Sequence, residues 1–559
     1  MSAWGNRRLA TASAAVLLIL TPTARSAAPP VPRSGPKPSP LVHRLRAEAA
    51  TAERAGDWEA AFAAYCRLYA ADRQAADVRE KLNATLRRVQ QVRRHRDPIF
   101  QQFTLNLETA EALNLYRDVI ATVPPLYADR DKATPQLMWE HGVEEFDRAL
   151  GSPAFRQAYL DGAPGDRVEA FRGSLRTFWA KRPVANAKDA RALLRQLIAA
   201  AQDTLPVRVP AAIAVEFVCG SCAGLDEYTV FLSPAEFAPE PSAATADLSA
   251  HGLYFGSHDG GLVIEGVAVG SWAAFHTQLR KGDRIMRVNG RTADLGAPGA
   301  LAEALRTPMG GSHEIEAIPA DSDSEMPRES RLPLVVPTVY GAAMVPDRDG
   351  IGYVRIGAFA PTTPGELDAA VTHVKSLGAR VLILDLRGNH GGSFTAGVEV
   401  ARRLLPAGII VTTQGQVGEV ANRVFSSDSG MSALALPLVV LIDAETASAA
   451  EVVAAALKDN NRAAVLVGMA SFGKGAVQIP VRLGGPDEDD PGRPRPRSGV
   501  RVTIARLISP RGLPINGAGV TPQVLEADPV RQLQLAIDRA AELLPGPRPP
   551  MPTVSSPIP

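Results

Sequence analysis

The chain has 559 residues, which is enough for three or four domains. Hydrophobic residues make up 46% of it and charged residues 21%, as in a globular protein. The 60 basic and 59 acidic residues nearly cancel, so composition provides no general attraction for nucleic acid or an anionic membrane. We therefore expect no nucleic-acid partner.

The first residues have the pattern of a secretory signal. Two arginines precede an apolar stretch, residues 9–20, that is too short to cross a bilayer comfortably, and small residues at 26–28 offer a cleavage site. An uncleaved anchor is the alternative. We predict a signal peptide at 1–27 and an exported, periplasmic or extracellular protein without stable membrane insertion after cleavage. A Pro-rich linker, 28–40, follows.

Residues 41–206 have a helical pattern. Within them, residues 55–65 resemble one tetratricopeptide helix pair, with glycine at the turn and Ala, Phe and Tyr at packing positions. No second copy is evident, so we interpret this region as a helical interaction domain. A helical or loop segment, 207–242, follows it.

The three cysteines allow few interpretations. Cys219 and Cys222 form a CxxC pair, which in an exported chain could close a local disulfide. A zinc site would need two further ligands, and no second pair has suitable spacing; a thioredoxin-like site lacks its βαβ setting. Cys66 lies on an apolar helix face, where we expect a buried free thiol. We expect no metal and no cofactor.

Residues 243–333 resemble a PDZ domain. Residues 279–290, LRKGDRIMRVNG, are similar to the family pattern LxxGDxIxxVNG, and the GLGF-type peptide-binding loop would be Gly252, Leu253, Tyr254 and Phe255. Backbone N–H groups of such a loop can capture a terminal carboxylate while the peptide adds a strand to the sheet edge. Tyr254 replaces the second glycine of the loop, and a PDZ domain that only positions other parts is the alternative.

Residues 334–527 alternate between apolar strands and helical segments, which predicts an α/β core with a largely buried parallel sheet. The expected elements are strands at 352–356, 381–386 and 437–443 and helices at 364–377 and 394–405. A helix at 528–543 and a disordered Pro-rich tail at 544–559 end the chain. The predicted fold class is multidomain α+β, with an N-terminal helical domain, a β-rich PDZ domain and an α/β core.

The region 439–451 reads as strand, turn, serine and helix, and Lys474 follows Ser448 by 26 positions between two glycines. A serine at a strand-to-helix turn exposes its hydroxyl with the helix N-terminus behind it. A neutral lysine amine can take the hydroxyl proton, as histidine does in other hydrolases. The same residues also fit an N-cap serine and a surface lysine.

Five segments in order resemble the carboxy-terminal processing peptidases, also called tail-specific proteases, of the S41 type. The first, LDEYTVFLSP, is similar to the family's LDPYSxFLSP, and the later ones include counterparts of its DLRxNPGG, TxAR and GxGIxPD motifs. These segments are 225–234, 352–356 with 384–392, 439–451, 473–475, and 503–506 with 517–522.

This resemblance, with the needs of peptide hydrolysis, implies the following roles. Ser448 is the nucleophile and Lys474 the general base, which must be largely neutral and hence buried. Gln478 matches a family glutamine that holds the lysine. The oxyanion donors would be the Ala449 amide and an amide of Gly391 or Gly392.

Asp385 and Arg387 should support the oxyanion loop. Three positions depart from the family: His390 stands where proline is usual and should be structural, Ala450 replaces a second serine, and the interval from serine to lysine is one residue longer. We expect a bulge near 463–467, before Gly468, to absorb the extra residue.

The predicted function is an exported serine endopeptidase that cleaves proteins near their C-termini by Ser-Lys catalysis with PDZ-mediated recognition. Its partners would be protein or peptide substrates with free C-terminal tails. The alternative is a catalytically weak or inactive scaffold that binds such tails.

Overall fold

The computed structural model describes residues 40–71, 76–237, 248–258, 261–268, 271–292, 300–305, 311–320, 326–428, 436–463, 465–484 and 498–544. The predicted signal peptide, the linker up to residue 39 and the tail after residue 544 lie outside the described residues. No helix in the described ranges combines the length and apolarity needed to cross a membrane.

The N-terminal region is helical, as predicted. Its α-helices are α1 (Pro40–Ala55), α2 (Trp58–Ala71), α3 (Ala76–Arg96), α4 (Pro98–Asn106), α5 (Thr109–Thr122), α6 (Pro135–Gly151), α7 (Pro153–Tyr159), α8 (Gly165–Thr177), α9 (Ala187–Thr204) and α10 (Pro210–Ala223). Helices α1 and α2 pack as a pair, α3 packs on α2, and α10 lies between α5 and α6 in the middle of the region. Large rings fill the space around α10, where Phe217 contacts Tyr116 and Trp139.

A mostly parallel sheet forms the centre of the predicted core. Its strands are β8 (Val339–Met344), β9 (Ile351–Ile356), β10 (Val381–Asp385), β13 (Leu438–Ile442), β14 (Val465–Gly468) and β17 (Val524–Leu525). Their spatial order is β17–β14–β13–β10–β9–β8, with only β8 antiparallel to its neighbour.

Helices cover both faces of this sheet, which explains its continuously apolar central strands. The helices are α14 (Thr363–Ser376), α15 (Phe394–Leu404) and α16 (Ala449–Asp459) on one face and α17 (Pro529–Glu542) on the other. In β10, Leu382 and Leu384 pack on the face covered by α14, α15 and α16, while Val381 and Ile383 pack against α17. Every residue of β10 and β13 is therefore buried.

A second, antiparallel sheet joins the helical region to the core. Its strands are β1 (Val230–Leu232), followed by a short helix α11 (Pro234–Phe237), then β11 (Gly408–Gly415), β12 (Val424–Ser427), β15 (Ala476–Arg482) and β16 (Gly499–Ile508). Val230, from the 207–242 segment, lies opposite Arg501 of β16. One face of β16 contributes Val500, Val502 and Ile504 to the core of the helical region.

A third sheet occupies the predicted PDZ segment and has its own small core. It contains β2 (Leu253–His258), β3 (Gly261–Val267), β4 (Arg284–Val288), β5 (Arg291–Thr292), β6 (Ser312–Ile318) and β7 (Arg328–Pro333), with helices α12 (Trp272–His276) and α13 (Ala300–Leu305). The predicted multidomain α+β fold is confirmed, whereas the PDZ assignment stays a prediction.

The cysteines are free thiols, so the local disulfide considered for Cys219 and Cys222 is absent. Both lie in α10 and are buried. Burial raises the pKa of the Cys222 thiol to about 12, which keeps it protonated and unreactive. Cys66 is also a free thiol, partly rather than fully buried.

Candidate active site

Ser448 lies at the turn between the end of β13 and the start of α16, as the sequence predicts. Its φ angle is 57°, a left-handed conformation that is uncommon for any residue with a side chain. Such strained serines occur where a nucleophile must project from a sharp strand-to-helix turn. The sequence contains no direct signal for this strain.

The turn before Ser448 is tied to the glycine-rich loop that follows β10. The Ala447 amide donates to the Asn389 carbonyl over 2.8 Å, and the Thr446 hydroxyl donates to the Leu386 carbonyl over 2.9 Å. Two loops from neighbouring parallel strands therefore meet at their carboxyl ends, where open α/β sheets place their sites.

Glu451, in the first turn of α16, joins the serine to the lysine. It is fully buried and accepts hydrogen bonds from the amides of Ser448 and Lys474 through one oxygen, each over 2.8 Å. Its other oxygen accepts from the Gly473 amide over 2.6 Å and the Ser471 hydroxyl over 2.5 Å. The amide nitrogens of Ser448 and Lys474 each lie 2.8 Å from the same carboxylate oxygen. The distance between these two nitrogens is therefore at most twice 2.8 Å, or 5.6 Å.

Sequence reasoning missed this role of Glu451. The residue stands three positions after Ser448, the spacing of a helix capping box, and that pattern was its only local signal. Burial raises the pKa of Glu451, while the hydrogen bonds that it accepts oppose the rise.

Lys474 is buried, with 7% of its surface exposed, as a lysine base requires. Burial lowers the pKa of its amine to about 8, and the positive charge of Arg501 adds to that effect while Glu451 opposes it. The amine lies 5.5 Å from the centre of the Tyr228 ring. At neutral pH a useful fraction of such an amine is unprotonated and able to accept a proton.

The strand that precedes Lys474 is regular. Val465 to Gly468 pair with β13 without a register shift, so no bulge lies within β14 and the extra residue is not absorbed there. Of the predicted interval 463–467, only the entry to the strand at 463–464 is left for the extra residue, and residue 464 lies outside the described residues. At the strand end, Gly468 has φ 130°, and a Cβ atom there would collide with the Ile442 carbonyl.

Gln478 does not hold the lysine in this structure. It lies on β15, opposite Thr503 of β16, directly after a register shift between Val477 and Gln478. Its side-chain nitrogen is buried and has no hydrogen-bond partner among the described residues. No hydrogen bond joins Gln478 to Lys474 among the described residues, and the role of Gln478 stays a prediction.

Two of the predicted oxyanion residues, Gly391 and Ala449, lie against the serine, while Gly392 lies against Phe359. A Cβ atom on Gly391 would lie 2.7 Å from the Ser448 Cβ and 3.0 Å from the Ala449 amide nitrogen, so only glycine fits there. The Gly391 amide donates to the Asn389 side chain over 2.8 Å. Within the described residues, no hydrogen bond engages the amides of Ala449 or Gly392, which leaves both available to an oxyanion.

Asp385 and Arg387 support this loop from below, as expected. Asp385 is fully buried and accepts from the Arg355 and Arg387 guanidinium groups and the Tyr353 hydroxyl over 3.1, 2.7 and 2.7 Å. Burial would raise the pKa of Asp385, but the two arginines outweigh it and hold that pKa below its usual value. The carboxylate is thus a charged anchor for the loop.

His390 is exposed and its Nδ1 lies 3.2 Å from the Glu445 carbonyl oxygen. This contact connects the glycine-rich loop to the serine turn and gives the imidazole a structural role, as predicted. In the described part of the chain, no group of three or more His, Cys, Asp or Glu side chains is arranged to hold a metal ion.

The predicted peptide-binding loop stands at the start of β2. Gly252 has φ 84° and lies against Ser271, so a side chain would not fit. Leu253 is buried in the core of this unit and Phe255 packs against it, with a register shift between Tyr254 and Phe255. The loop therefore has a left-handed glycine at its start and an irregular strand register after it. Its binding of a carboxylate stays a prediction.

Comparison with known proteins shows the family of this chain. Residues 350–525 match peptidase family S41. The chain is 31% identical over 314 residues to a carboxyl-terminal-processing protease of Synechocystis sp., covering 55% of this chain and 70% of that protein. It is 32% identical over 320 residues to a chloroplastic C-terminal processing peptidase of Tetradesmus obliquus, covering 54% of this chain and 65% of that protein.

A solved structure of a photosystem II D1 C-terminal processing protease is 27% identical, with a TM-score of 0.36, and covers 72% of this chain and 97% of that one. The two curated relatives are matched over about two thirds of their own length.

Proposed function

The chain belongs to peptidase family S41, and on that premise we propose that it is a serine endopeptidase in which Ser448 attacks and Lys474 is the general base. One observation carries the proposal. The buried carboxylate of Glu451 holds the backbones of Ser448 and Lys474 within 5.6 Å of each other, and the lysine so placed has a pKa of about 8.

The reaction follows from these groups. Lys474 takes the hydroxyl proton of Ser448 as its oxygen bonds to the scissile carbonyl carbon, and the Ala449 amide with Gly391 or Gly392 stabilises the oxyanion. The protonated lysine then gives that proton to the departing amine, leaving an ester on Ser448. Water, deprotonated by Lys474, hydrolyses the ester and restores the serine.

The substrates that we propose are unstructured protein C-termini, captured by the loop at 252–255 and cut in the core. The relatives' names as carboxyl-terminal-processing proteases support this, as does the PDZ-like motif at 279–290. We place the enzyme outside the cytoplasm, periplasmic or extracellular, because of the signal pattern at 1–27.

A catalytically weak scaffold is the second candidate. Two observations favour it: the buried Gln478 side-chain nitrogen has no hydrogen-bond partner among the described residues, and the Gly391 amide is engaged by Asn389. For the enzyme, substrate binding would have to pair the Gln478 nitrogen and release the Gly391 amide. Catalytic hydrogen bonds are often incomplete in a free enzyme.

Proteolysis of an unfolded protein separates the two candidates. The purified chain should cleave it, while Ser448→Ala and Lys474→Ala should lower kcat by several orders of magnitude, and the double variant should be no worse than either. The matched controls are Lys458→Ala and Ser376→Ala. Lys458 lies near the end of α16, the helix that follows Ser448, and Ser376 is exposed at the end of α14. Equal cleavage by wild type and Ser448→Ala would reject the assignment, and no cleavage by either would favour the scaffold.

A further inference from the structure

The N-terminal helices reach the loop that lies over the lysine segment. Tyr69, near the end of α2, donates its hydroxyl hydrogen to the carbonyl of Gly517. Arg79, in the first turns of α3, lies against the same glycine, and a Cβ atom there would collide with the guanidinium. Gly517 has φ 75°, a conformation that favours glycine. Two side chains from the helical region therefore converge on one residue of the core.

Gly517 is in turn bonded to the segment that contains the lysine. Its amide donates to the Gly473 carbonyl over 2.7 Å, directly before Lys474. On the other side of the lysine, the Gly475 amide donates to the Asn516 side chain over 3.3 Å. The backbone on both sides of Lys474 is thus held by residues 516–517.

Arg79 also contacts the opposite wall of the lysine site. Its guanidinium lies 3.7 Å from the Glu227 carboxylate, and the next residue, Tyr228, places its ring 5.5 Å from the Lys474 amine. The Asp226 carboxylate fixes this turn by accepting from the Tyr228 amide over 3.0 Å. One arginine therefore links both structures that enclose the lysine.

We propose that Tyr69 and Arg79 are positioning residues for Lys474, so that the N-terminal helices complete the active site. The proposal rests on the proposed function of Lys474. The helices act through the loop at 515–519, which holds the backbone on both sides of Lys474, and through the turn at 226–229, which places Tyr228 beside the amine. Loosening either wall would admit water and favour the protonated lysine, which cannot accept a proton.

Three charged or titratable groups face the Lys474 amine, each from a different element. The amine faces Glu451 from α16, Arg501 from β16 and Tyr228 from the turn before β1. Arg79 acts electrostatically on the Tyr228 hydroxyl, but neither Tyr69 nor Arg79 is among the groups that shift the pKa of Lys474. A change in the titration of Lys474 would therefore report its burial and position.

The kinetic test uses Tyr69→Phe and Arg79→Gln in the full chain. We expect the acid limb of the kcat profile to move up by about half to one pH unit, which lowers kcat at pH 7 by about three- to tenfold. KM should change little, and activity should recover near pH 10. Arg79→Lys keeps the charge beside Glu227 but loses the planar contact on Gly517. Its acid limb should lie between those of wild type and Arg79→Gln.

Matched controls lie on the same helices. Arg93 of α3 is 41% exposed, against 36% for Arg79, and pairs with Glu59 of α2 over 3.0 Å without contacting the core loop. Tyr65 of α2 is buried and faces Glu53. Arg93→Gln and Tyr65→Phe should leave the acid limb in place. Equal displacement in all four variants would reject the proposal in favour of general loosening of the helices.

A second measurement does not depend on proteolysis. The titration of Lys474 can be followed by NMR in protein labelled with ¹³C at the lysine ε-carbon, because the chain has only nine lysines and Lys474→Ala assigns the signal. Tyr69→Phe and Arg79→Gln should raise the midpoint, and unchanged midpoints would overturn the inference. If wild type and Ser448→Ala cleave equally, the proposed function fails, whereas the midpoint still decides the role of the helices.

Discussion

Replacing Glu451 with glutamine tests the connection between nucleophile and base. The carboxylate accepts four hydrogen bonds, two on each oxygen, from the amides of Ser448, Gly473 and Lys474 and from the Ser471 hydroxyl. A glutamine amide keeps one oxygen and puts a donor in place of the other. Two buried donors therefore lose their acceptor whichever way the amide is turned.

The size of the effect follows from those two donors. A buried donor without a partner costs about 1–3 kcal/mol, so the substitution should cost about 2–6 kcal/mol. The site can avoid part of this cost by separating the serine and lysine segments, which moves the base away from the nucleophile. We expect kcat to fall by roughly two to four orders of magnitude, with a lower Tm as well, because 1.4 kcal/mol corresponds to a factor of about ten.

The direction of the pH shift distinguishes this explanation from simple loss of stability. Glu451 raises the pKa of Lys474, so removing its charge should move the acid limb of the residual activity to lower pH. The assay is the pH dependence of kcat on an unfolded protein, with Tm measured by calorimetry and Glu445→Gln, an exposed glutamate of the same turn, as the control. Activity within threefold of wild type at an unchanged Tm would refute the role assigned to Glu451.

Three further predictions follow from the site. Because Lys474 has a pKa of about 8 and works unprotonated, the rate should rise about tenfold per unit between pH 6 and 7, reach half its maximum near pH 8 and level above about pH 9, with EDTA having no effect; a flat profile would exclude a lysine base. Gly391→Ala should lower kcat at least about 100-fold, since its Cβ would lie 2.7 Å from the Ser448 Cβ, whereas Gly365→Ala, with open space around it, should not. A peptide with a free carboxylate should bind more tightly than its amide at the loop 252–255, and equal affinities by calorimetry would show that Tyr254 closes the pocket.

Local pattern was sufficient for much of the core. The apolar runs around 381–386 and 437–443 became β10 and β13, and the helices at 363–376 and 394–404 begin and end within one residue of their predicted bounds. These elements are encoded by hydrophobic periodicity and by which faces must be buried, both of which are readable over a short window. The strand-turn-helix around Ser448 is local in the same sense.

The features that decide the chemistry are not local. Lys474 owes its burial partly to Tyr228, which is 246 positions earlier, and its lowered pKa partly to Arg501 on another strand. Residue types and spacing could nominate the lysine as a base but could not predict its burial, which depends on which segments the fold brings against it.

Residue pattern alone was enough for the family resemblance, which the comparisons confirm, and for nominating the candidate serine and lysine. The fold was needed to see that Glu451 joins their backbones, that the Gln478 side-chain nitrogen is buried without a hydrogen-bond partner among the described residues, and that Tyr69 contacts Gly517 across 448 positions of sequence. Periodicity specifies which face of an element is buried, whereas a contact between distant segments depends on the topology that brings them together.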